Sequence, residues 1–324
     1  AHTHPQLQYV FIKNIKNLLS EGISDEKGNR IIGLQTIITT HSSHIVSECD
    51  FDDIKYFKRI SNSSVVSKNL KDLKIRYKDE KDPQNNHFKF LKQYLTLNYA
   101  EIFFADKVIL FEGETESILL PAMLKKIDEE TPSSTELPML SQNISLIASG
   151  AYSQIFDKFL EFVGIKTLII TDLDSGKETQ IVDKNGHSRT VTVAHPVDGG
   201  TLTTNDALLH YYKTPLSKSS GGNQLDFFTN LSKENKILRN NAGCWESDPN
   251  GTLMIVFQTK EKDDYYPRSF EDAFIQINRD FMIAHQDTFE SLKNRDKFDE
   301  KDASGKYMHD TYDLATTCVK NKSS

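Results

Sequence analysis

Residues 108–116 read Val-Ile-Leu-Phe-Glu-Gly-Glu-Thr-Glu, and their order decides the class of fold. Four apolar residues in succession, the first two β-branched, predict a buried strand. Glu112 ends the run, Gly113 permits a sharp turn, and a helix is expected from Thr115 to Lys126. The pattern then repeats. Ile144 to Ala148 predicts a strand, Ser153 to Val163 a helix, and Thr167 to Thr171 a further strand that runs into Asp172-Leu-Asp-Ser-Gly176. Strands and helices alternating over short connections define an α/β fold, with a mostly parallel sheet flanked by helices.

On the N-terminal side, Leu7, Val10, Phe11, Ile15, Leu18 and Leu19 recur at helical spacing, so Pro5 to Glu21 is expected to be a helix ended by Gly22. Leu34 to Thr40 reads as a short buried strand, and Ser42 or Ser43 can cap the helix after it. Asp53–Lys58 and Ser63–Lys68 predict a hairpin. The polar stretch 71–86 reads as a linker and Phe88 to Phe104 as a helical arm, giving segments 1–70, 71–104 and 105–324. On the C-terminal side, Asn185-Gly186 predicts a hairpin within 177–198. Helices are expected at 206–212, 225–235 and 269–285, and a strand at 253–257.

Composition narrows the function. The chain has 324 residues, 37% hydrophobic and 26% charged, and no apolar run long enough for a membrane span. Three widely spaced cysteines, Cys49, Cys244 and Cys318, form neither a disulfide framework nor a zinc spacing, which suits a reducing cytoplasm. The start, Ala1-His-Thr-His-Pro5, carries no secretory signal and no initiator Met, as expected of a fragment. The net charge of −7 opposes nucleic-acid binding, unless some carboxylates hold divalent ions that reverse the local sign.

Three acidic groups bear on that condition. In an open parallel sheet, ligands bind beyond the carboxyl ends of the strands, where Glu112 and Asp172 fall. Glu112 and Glu116 can converge if the turn is already helical, with Glu114 pointing elsewhere. Asp172 and Asp174 alternate on an extended segment and share a side, which suits oxygen-preferring Mg²⁺ or Mn²⁺. The third group is Arg268-Ser-Phe-Glu-Asp272, where Ser269 can cap a helix with acids in its first turn. Taken singly, each group also reads as solvated loop charge or helix-dipole complement; their joint order favours a site.

Glu112-Gly113 and Asp172-Leu-Asp174 resemble the Toprim signature shared by topoisomerases, primases and a group of nucleases. More narrowly, the chain resembles the OLD (overcoming lysogenization defect) family of ATPase–Toprim nucleases. Ser149-Gly-Ala-Tyr-Ser-Gln154, Thr203-Thr-Asn-Asp206 and Arg268-Ser-Phe-Glu-Asp-Ala-Phe274 look like the branch found beside UvrD-like helicases, related to Gabija-type phage-defence nucleases. Ala1-His-Thr-His-Pro-Gln6 resembles the segment just after Walker B in ABC-type ATPases, and Thr39-Thr-His-Ser-Ser-His-Ile45 resembles their switch-histidine loop.

The resemblance implies a metal-dependent DNA endonuclease attached to the C-terminal part of an ABC-type ATPase domain. One ion would sit with Glu112, Glu116 and Asp172, and a second with Asp174 and Glu271. Glu112 and Asp172 would be catalytic. Lys322 would match the opening of the family's terminal Lys-Ser/Thr motif and neutralise transition-state charge. His41 would sense the γ-phosphate, and Lys177 and Arg268 would contact the DNA backbone, with Arg189 and Lys260 as further candidates. It also implies a homodimer and a possible UvrD-like helicase partner. No Gly-X4-Gly-Lys-Ser/Thr motif occurs, since Gly176-Lys177 precedes Glu178, so ATP use is expected only of a full-length protein. Two alternatives stand beside the nuclease. One is other Toprim chemistry, with Tyr265 or Tyr266 as the topoisomerase-like nucleophile or packing anchor. The other is a regulatory or dimerisation module.

Overall fold

The computed structural model describes residues 4–21, 23–24, 30–32, 35–78, 82–131, 137–182, 186–218, 223–260, 264–290 and 292–320. In chain order the elements are α1 (Pro5–Glu21), β1 (Ile23–Ser24), β2 (Arg30–Ile32), α2 (Ser43–Ser47), β3 (Lys55–Ser61), β4 (Ser64–Asn69), α3 (Leu73–Arg76), α4 (Asn86–Asn98), β5 (Lys107–Phe111), α5 (Glu114–Glu130), β6 (Ile144–Ala148), α6 (Asp157–Val163) and β7 (Lys166–Ile170). The chain continues with β8 (Ser175–Val182), β9 (Ser188–Ala194), β10 (Leu202–Thr203), α7 (Asp206–Tyr211), α8 (Lys213–Lys218), α9 (Gln224–Thr229), β11 (Ile237–Asn241), β12 (Cys244–Ser247), β13 (Leu253–Val256), α10 (Phe270–Ala284) and α11 (Thr311–Lys320). Two compact units divide the chain, residues 1–168 and 169–324.

In the first unit, β5 and β6 pair in parallel from Lys107↔Ile144 to Phe111↔Ala148, with α5 as the crossover. Val108, Ile109, Leu110 and Phe111 are all buried, as an unbroken apolar run requires. The α4 helix places Phe88, Leu91 and Leu95 on one stripe, each buried. Full burial of Leu91 and Leu95 contributes roughly 2 kcal/mol apiece. Around them Phe51 meets Phe88 and Phe103 edge to face at 5.9 and 6.3 Å, and Phe103 meets Phe159 at 5.9 Å. Leu73 and Tyr77, in the polar stretch after β4, join this core.

The β3–β4 hairpin forms as its alternation predicts, from Lys55↔Asn69 to Ser61↔Ser64. Its Lys58 and Lys68 ammonium groups donate to the carbonyls of Gly164 and Phe162 at the end of α6. Cations there meet the negative end of the helix dipole, and Gly164, at φ 71°, supplies the left-handed cap. Burial lowers the pKa of both lysines, and Lys58 lowers that of Lys68 further.

One expectation fails here. Gln35 to Thr40 are irregular rather than a strand, with Ile37 84% exposed; Leu34 lies outside the described residues. A strand exists through its ladder, and no described strand pairs with this run. Ser42 does precede α2, but its hydroxyl donates to Gln8 instead of capping the helix.

The second unit holds two antiparallel sheets. In one, β8 pairs with β9 from Gly176↔Ala194 to Val182↔Ser188, and β10 flanks the start of β8. The turn residues 183–185 of this predicted hairpin lie outside the described residues. In the other, β11 lies between β12 and β13. The β11–β12 hairpin was not legible in the sequence: its turn puts Ala242 at φ 52° beside Gly243 at φ 92°, where Asn-Gly is the recognisable pair. Ile275 and Met282 of α10 share a buried cluster with Leu314 and Ala315 of α11 and with Phe298 from the segment between the two helices.

Candidate functional site

Each unit presents one acid-bearing strand end. In the first, Phe111 ends β5 and Gly113 is the N-cap of α5, so Glu114 and Glu116 lie in the helix's first turn. There they complement the helix dipole. The Glu116 carboxylate folds back over the turn: a Cβ on Gly113 would lie 2.5 Å from Glu116 Oε2. Glycine at 113 is therefore a steric requirement for this placement, since its φ of −117° is ordinary. Beside this turn, Ser149 N–H donates to Phe111 O at 2.8 Å and Ser149 Oγ donates to the same oxygen at 3.2 Å. The Tyr94 hydroxyl donates to Ala148 O, and burial pushes its pKa up. The Ser149–Gln154 motif thus forms the backbone shelf after β6.

In the second unit the Asp172–Asp174 segment is held from three sides. Gln258, just past β13, grips it twice: Nε2 donates to Asp172 Oδ1 at 2.5 Å, and Oε1 accepts from Leu173 N at 2.7 Å. Phe270 N, at the start of α10, donates to the same Asp172 oxygen at 2.9 Å, so the carboxylate sits at a helix N-terminus. Asp174 adopts the left-handed φ of 48°, which Asp tolerates better than most residues. Its carboxylate pairs with Arg268 at 2.9 Å, and its amide donates to Arg268 O at 3.1 Å.

The Thr203–Asp206 motif is the third side. Thr203 Oγ1 donates to Leu173 O at 2.6 Å, while Thr204 N and Oγ1 donate to Asp174 O at 3.0 and 3.1 Å. Asn205 donates to Thr171 Oγ1 at 2.7 Å and caps α7 through Leu208 N. This motif satisfies backbone oxygens of a loop that has no ladder of its own.

The third acidic group divides. Ser269 caps α10, and its Oγ lies 3.3 Å from Glu271 Oε2. Asp272 is the buried member, 1% exposed. It accepts from Tyr265 OH at 2.9 and 3.0 Å, Arg268 N at 2.8 Å and Thr311 Oγ1 at 2.6 Å. Burial raises its pKa, against the lowering by these hydrogen bonds. Tyr265 is thus tied into an internal network and its own pKa is pushed up by burial, as befits a packing anchor. The sequence reading placed Asp272 in the helix's first turn without distinguishing it from Glu271, and it missed Gln258; a lone Gln after a strand carries no signal, and its use depends on tertiary placement.

Of the other expected residues, two cations are already paired. Arg268 is committed to Asp174 and to Ser175 O at 3.0 Å, and Lys260 pairs with Asp264 at 3.0 Å. Lys177 and Arg189 are exposed on β8 and β9. His41 is exposed in the irregular run before α2, and Lys322 lies outside the described residues. Within neither unit do three or more described His, Cys, Asp or Glu side chains gather as a metal-binding group. A cavity of about 510 Å³ in the second unit, lined by Asn223, Asp226, Lys260, Asp264, Tyr265 and Tyr266, includes none of the strand-end acids. Among the described residues no helix is long and apolar enough to cross a membrane.

Comparison with known proteins accords with this geometry. Residues 103–174, from the approach to β5 through Asp174, match the family described as overcoming lysogenization defect protein-like, TOPRIM domain. Over that segment the chain belongs to the OLD-like Toprim family. Residues 1–46 match the AAA ATPase domain. Relatives include Endonuclease GajA of Bacillus cereus (strain HuB5-5), 30% identical over 85% of this chain and 35% of that protein. Old nuclease of Escherichia phage P2 is 29% identical over 44% of this chain and 22% of that protein. The chain therefore spans about a third or less of these relatives.

Proposed function

We propose that this chain is the nuclease portion of an OLD-type ATPase–nuclease, cutting DNA with divalent metal ions, with residues 105–324 as the Toprim part and 1–70 as the end of the ATPase part. The observation that carries the reading is the restraint on Asp172: two N–H donors hold one carboxylate oxygen at the end of a Toprim-matched strand. Solvated loop charge needs no such restraint. The endonuclease and nuclease names of the two relatives point the same way.

The donor chemistry fits a hard cation, since Glu112, Glu116, Asp172, Asp174 and Glu271 offer carboxylate oxygens only. Glu112, Glu116 and Asp172 would hold one Mg²⁺ or Mn²⁺ ion, and Asp174 and Glu271 a second. Bound ions of this kind polarise a phosphodiester and acidify water. The protein's own part is to fix the acids: Gln258 and the α10 N-terminus orient Asp172, Arg268 orients Asp174, and Gly113 leaves room for Glu116. Lys322 would neutralise charge on the phosphate. His41 would sense nucleotide, in a homodimer of the complete ATPase acting beside a UvrD-like helicase in phage defence or DNA processing, within the cytoplasm.

A plasmid-nicking assay with Mn²⁺ or Mg²⁺ tests the reading. Cutting is expected only with the metal, and Glu112→Ala or Asp172→Ala should lower it by roughly 10²-fold or more. Undiminished cutting by both variants rejects the assignment.

A further inference from the structure

The sequence put forward four cations as DNA contacts, and the structure divides them two and two. Arg268 and Lys260 are neutralised by Asp174 and Asp264. Lys177 and Arg189 are exposed, and among the described residues neither forms an ion pair. Both belong to one object, the β8–β9 ribbon, which begins directly after Asp174.

The ribbon's register places the two on one face. Lys177 pairs with Val193 and Ile181 with Arg189, and alternate residues of a strand share a side, so Lys177, Thr179 and Ile181 face the same way as Val193, Val191 and Arg189. The two cations stand four residues apart along the ribbon, a separation of about 14 Å at ~3.4 Å per residue. The opposite face carries Glu178, Gln180, Val182, Ser188, Thr190 and Thr192, all exposed. There Ser188 Oγ donates to Gln180 Oε1 at 2.9 Å across the strands.

A two-stranded ribbon open on both faces gains little from burial, so its stability depends on its root. That root is built firmly. Ser175 is fully buried and its hydroxyl donates to His195 O at 2.5 Å; Thr201 N donates to Gly176 O at 2.9 Å; Arg268 Nε holds Ser175 O. At Gly176 a Cβ would lie 3.0 Å from Thr192 Cγ2 and 3.2 Å from Val193 O, so the strands approach closely there. The arm is rigid at its base, bare along its length, and bears two uncompensated cations on one face in a chain of net charge −7.

We infer that the β8–β9 ribbon is a docking arm for duplex DNA, which places Lys177 and Arg189 against backbone phosphates and guides the duplex toward Asp172 and Asp174. Three observations support it: charge complementarity, continuity with the strand-end acids, and shape. A major groove about 12 Å wide admits a two-stranded ribbon, and the ~14 Å cation spacing lets one face reach phosphates on both rims. The inference rests on the nuclease reading for its purpose, while its test does not require cutting.

The test is fluorescence anisotropy of a short labelled duplex, and of its labelled single strand, with the whole chain, without divalent ions, over a series of salt concentrations. Two phosphate contacts predict that Lys177→Ala/Arg189→Ala lowers the slope of log K against log salt by about 2. It should weaken binding tenfold or more at low salt. Lys177→Arg/Arg189→Lys keeps both charges and should restore the slope. Lys125→Ala/Lys126→Ala removes two exposed charges from α5 and should leave the affinity unchanged. An unaltered slope in a folded Lys177→Ala/Arg189→Ala protein overturns the inference, as does a loss confined to single strands. The nuclease reading fails separately, through undiminished cutting by Glu112→Ala and Asp172→Ala.

Discussion

At the end of β5 the acids are placed by backbone and by the lack of a side chain: Gly113 caps α5, and the Glu116 carboxylate occupies the space a Cβ would take. At the end of β7 the acids are placed by other side chains. Gln258, Arg268 and Thr203, together with the Phe270 amide, fix Asp172, Asp174 and their backbone. The difference has a physical origin. A strand running straight into a helix has its geometry set by dihedrals and first-turn dipoles, so few partners are needed. A strand running into an irregular segment has carbonyls and amides with no ladder, and each must be met from elsewhere. The first arrangement depends on one glycine; the second depends on a network.

The largest effect should come from the network's buried member. Asp272→Ala leaves Tyr265 OH, Thr311 Oγ1 and Arg268 N–H without their acceptor, a loss of about 3 kcal/mol or more in urea unfolding. Glu271→Ala, its neighbour on the surface side, should change stability by less than ~0.5 kcal/mol. Equal losses for the two would break the distinction between a network acid and a surface acid.

Gln258→Ala should come next. It removes the Gln258 donor to Asp172 and the acceptor of Leu173 N together, while the Phe270 amide still donates to Asp172 Oδ1. Loss of such an orienting partner typically costs 10- to 100-fold in metal affinity or rate. Mn²⁺ titration of cutting should show the midpoint displaced to higher metal, with far-UV circular dichroism unchanged. A lowered maximal rate at an unmoved midpoint would instead make Gln258 a scaffold residue only.

Gly113→Ala probes the other strand end. The new Cβ must displace the Glu116 carboxylate, so cutting should fall about tenfold, short of the ~10² that an ångström's misplacement can cause. Melting should barely move, because Ala at an N-cap differs from Gly by at most about 1 kcal/mol. A silent Gly113→Ala would show that the placement of Glu116 over the turn has no functional weight.

This contrast also explains what could be read in advance. The β5–α5 turn was legible because its determinants are contiguous: an apolar run, Glu112, Gly113 and the acids of the first helical turn. The β8–β9 hairpin was legible through Asn185-Gly186, and α10 through its Ser269 cap. Asp172 and Asp174 were legible as acids at a strand end, but their partners lie 86 and 94 residues away at Gln258 and Arg268. No local pattern encodes such a pairing. Arg268 accordingly read as a DNA contact, because an arginine's charge is visible in a sequence while its ion pair is not. The 34–40 run failed for a related reason: β-branched residues signal strand propensity, whereas a strand needs a partner.

The smallest effect is a pH dependence within the network. Burial raises the folded-state pKa of Asp272 above the ordinary 3.8, so the native protein holds this proton more tightly than the unfolded chain does. For an acid shifted this way, the contribution to stability is complete below the unfolded pKa and is lost as pH rises through the raised folded value. Above that window the fold carries a buried carboxylate whose charge is only partly offset by its four hydrogen bonds. Asp313 shifts in the same direction, through burial and the nearby Asp310, so the wild type alone does not isolate Asp272. Asp272→Asn keeps the shape and removes the titration, and Asp313 then cancels in the difference between the two proteins. Urea midpoints measured from below the ordinary carboxylate range to neutrality should give a wild-type-minus-variant difference that declines with pH and then levels off. The decline should be a fraction of the Asp272→Ala loss. A difference that grows with pH would mean that the hydrogen bonds of Tyr265, Thr311 and Arg268 outweigh burial, and that the network is built to hold an anion.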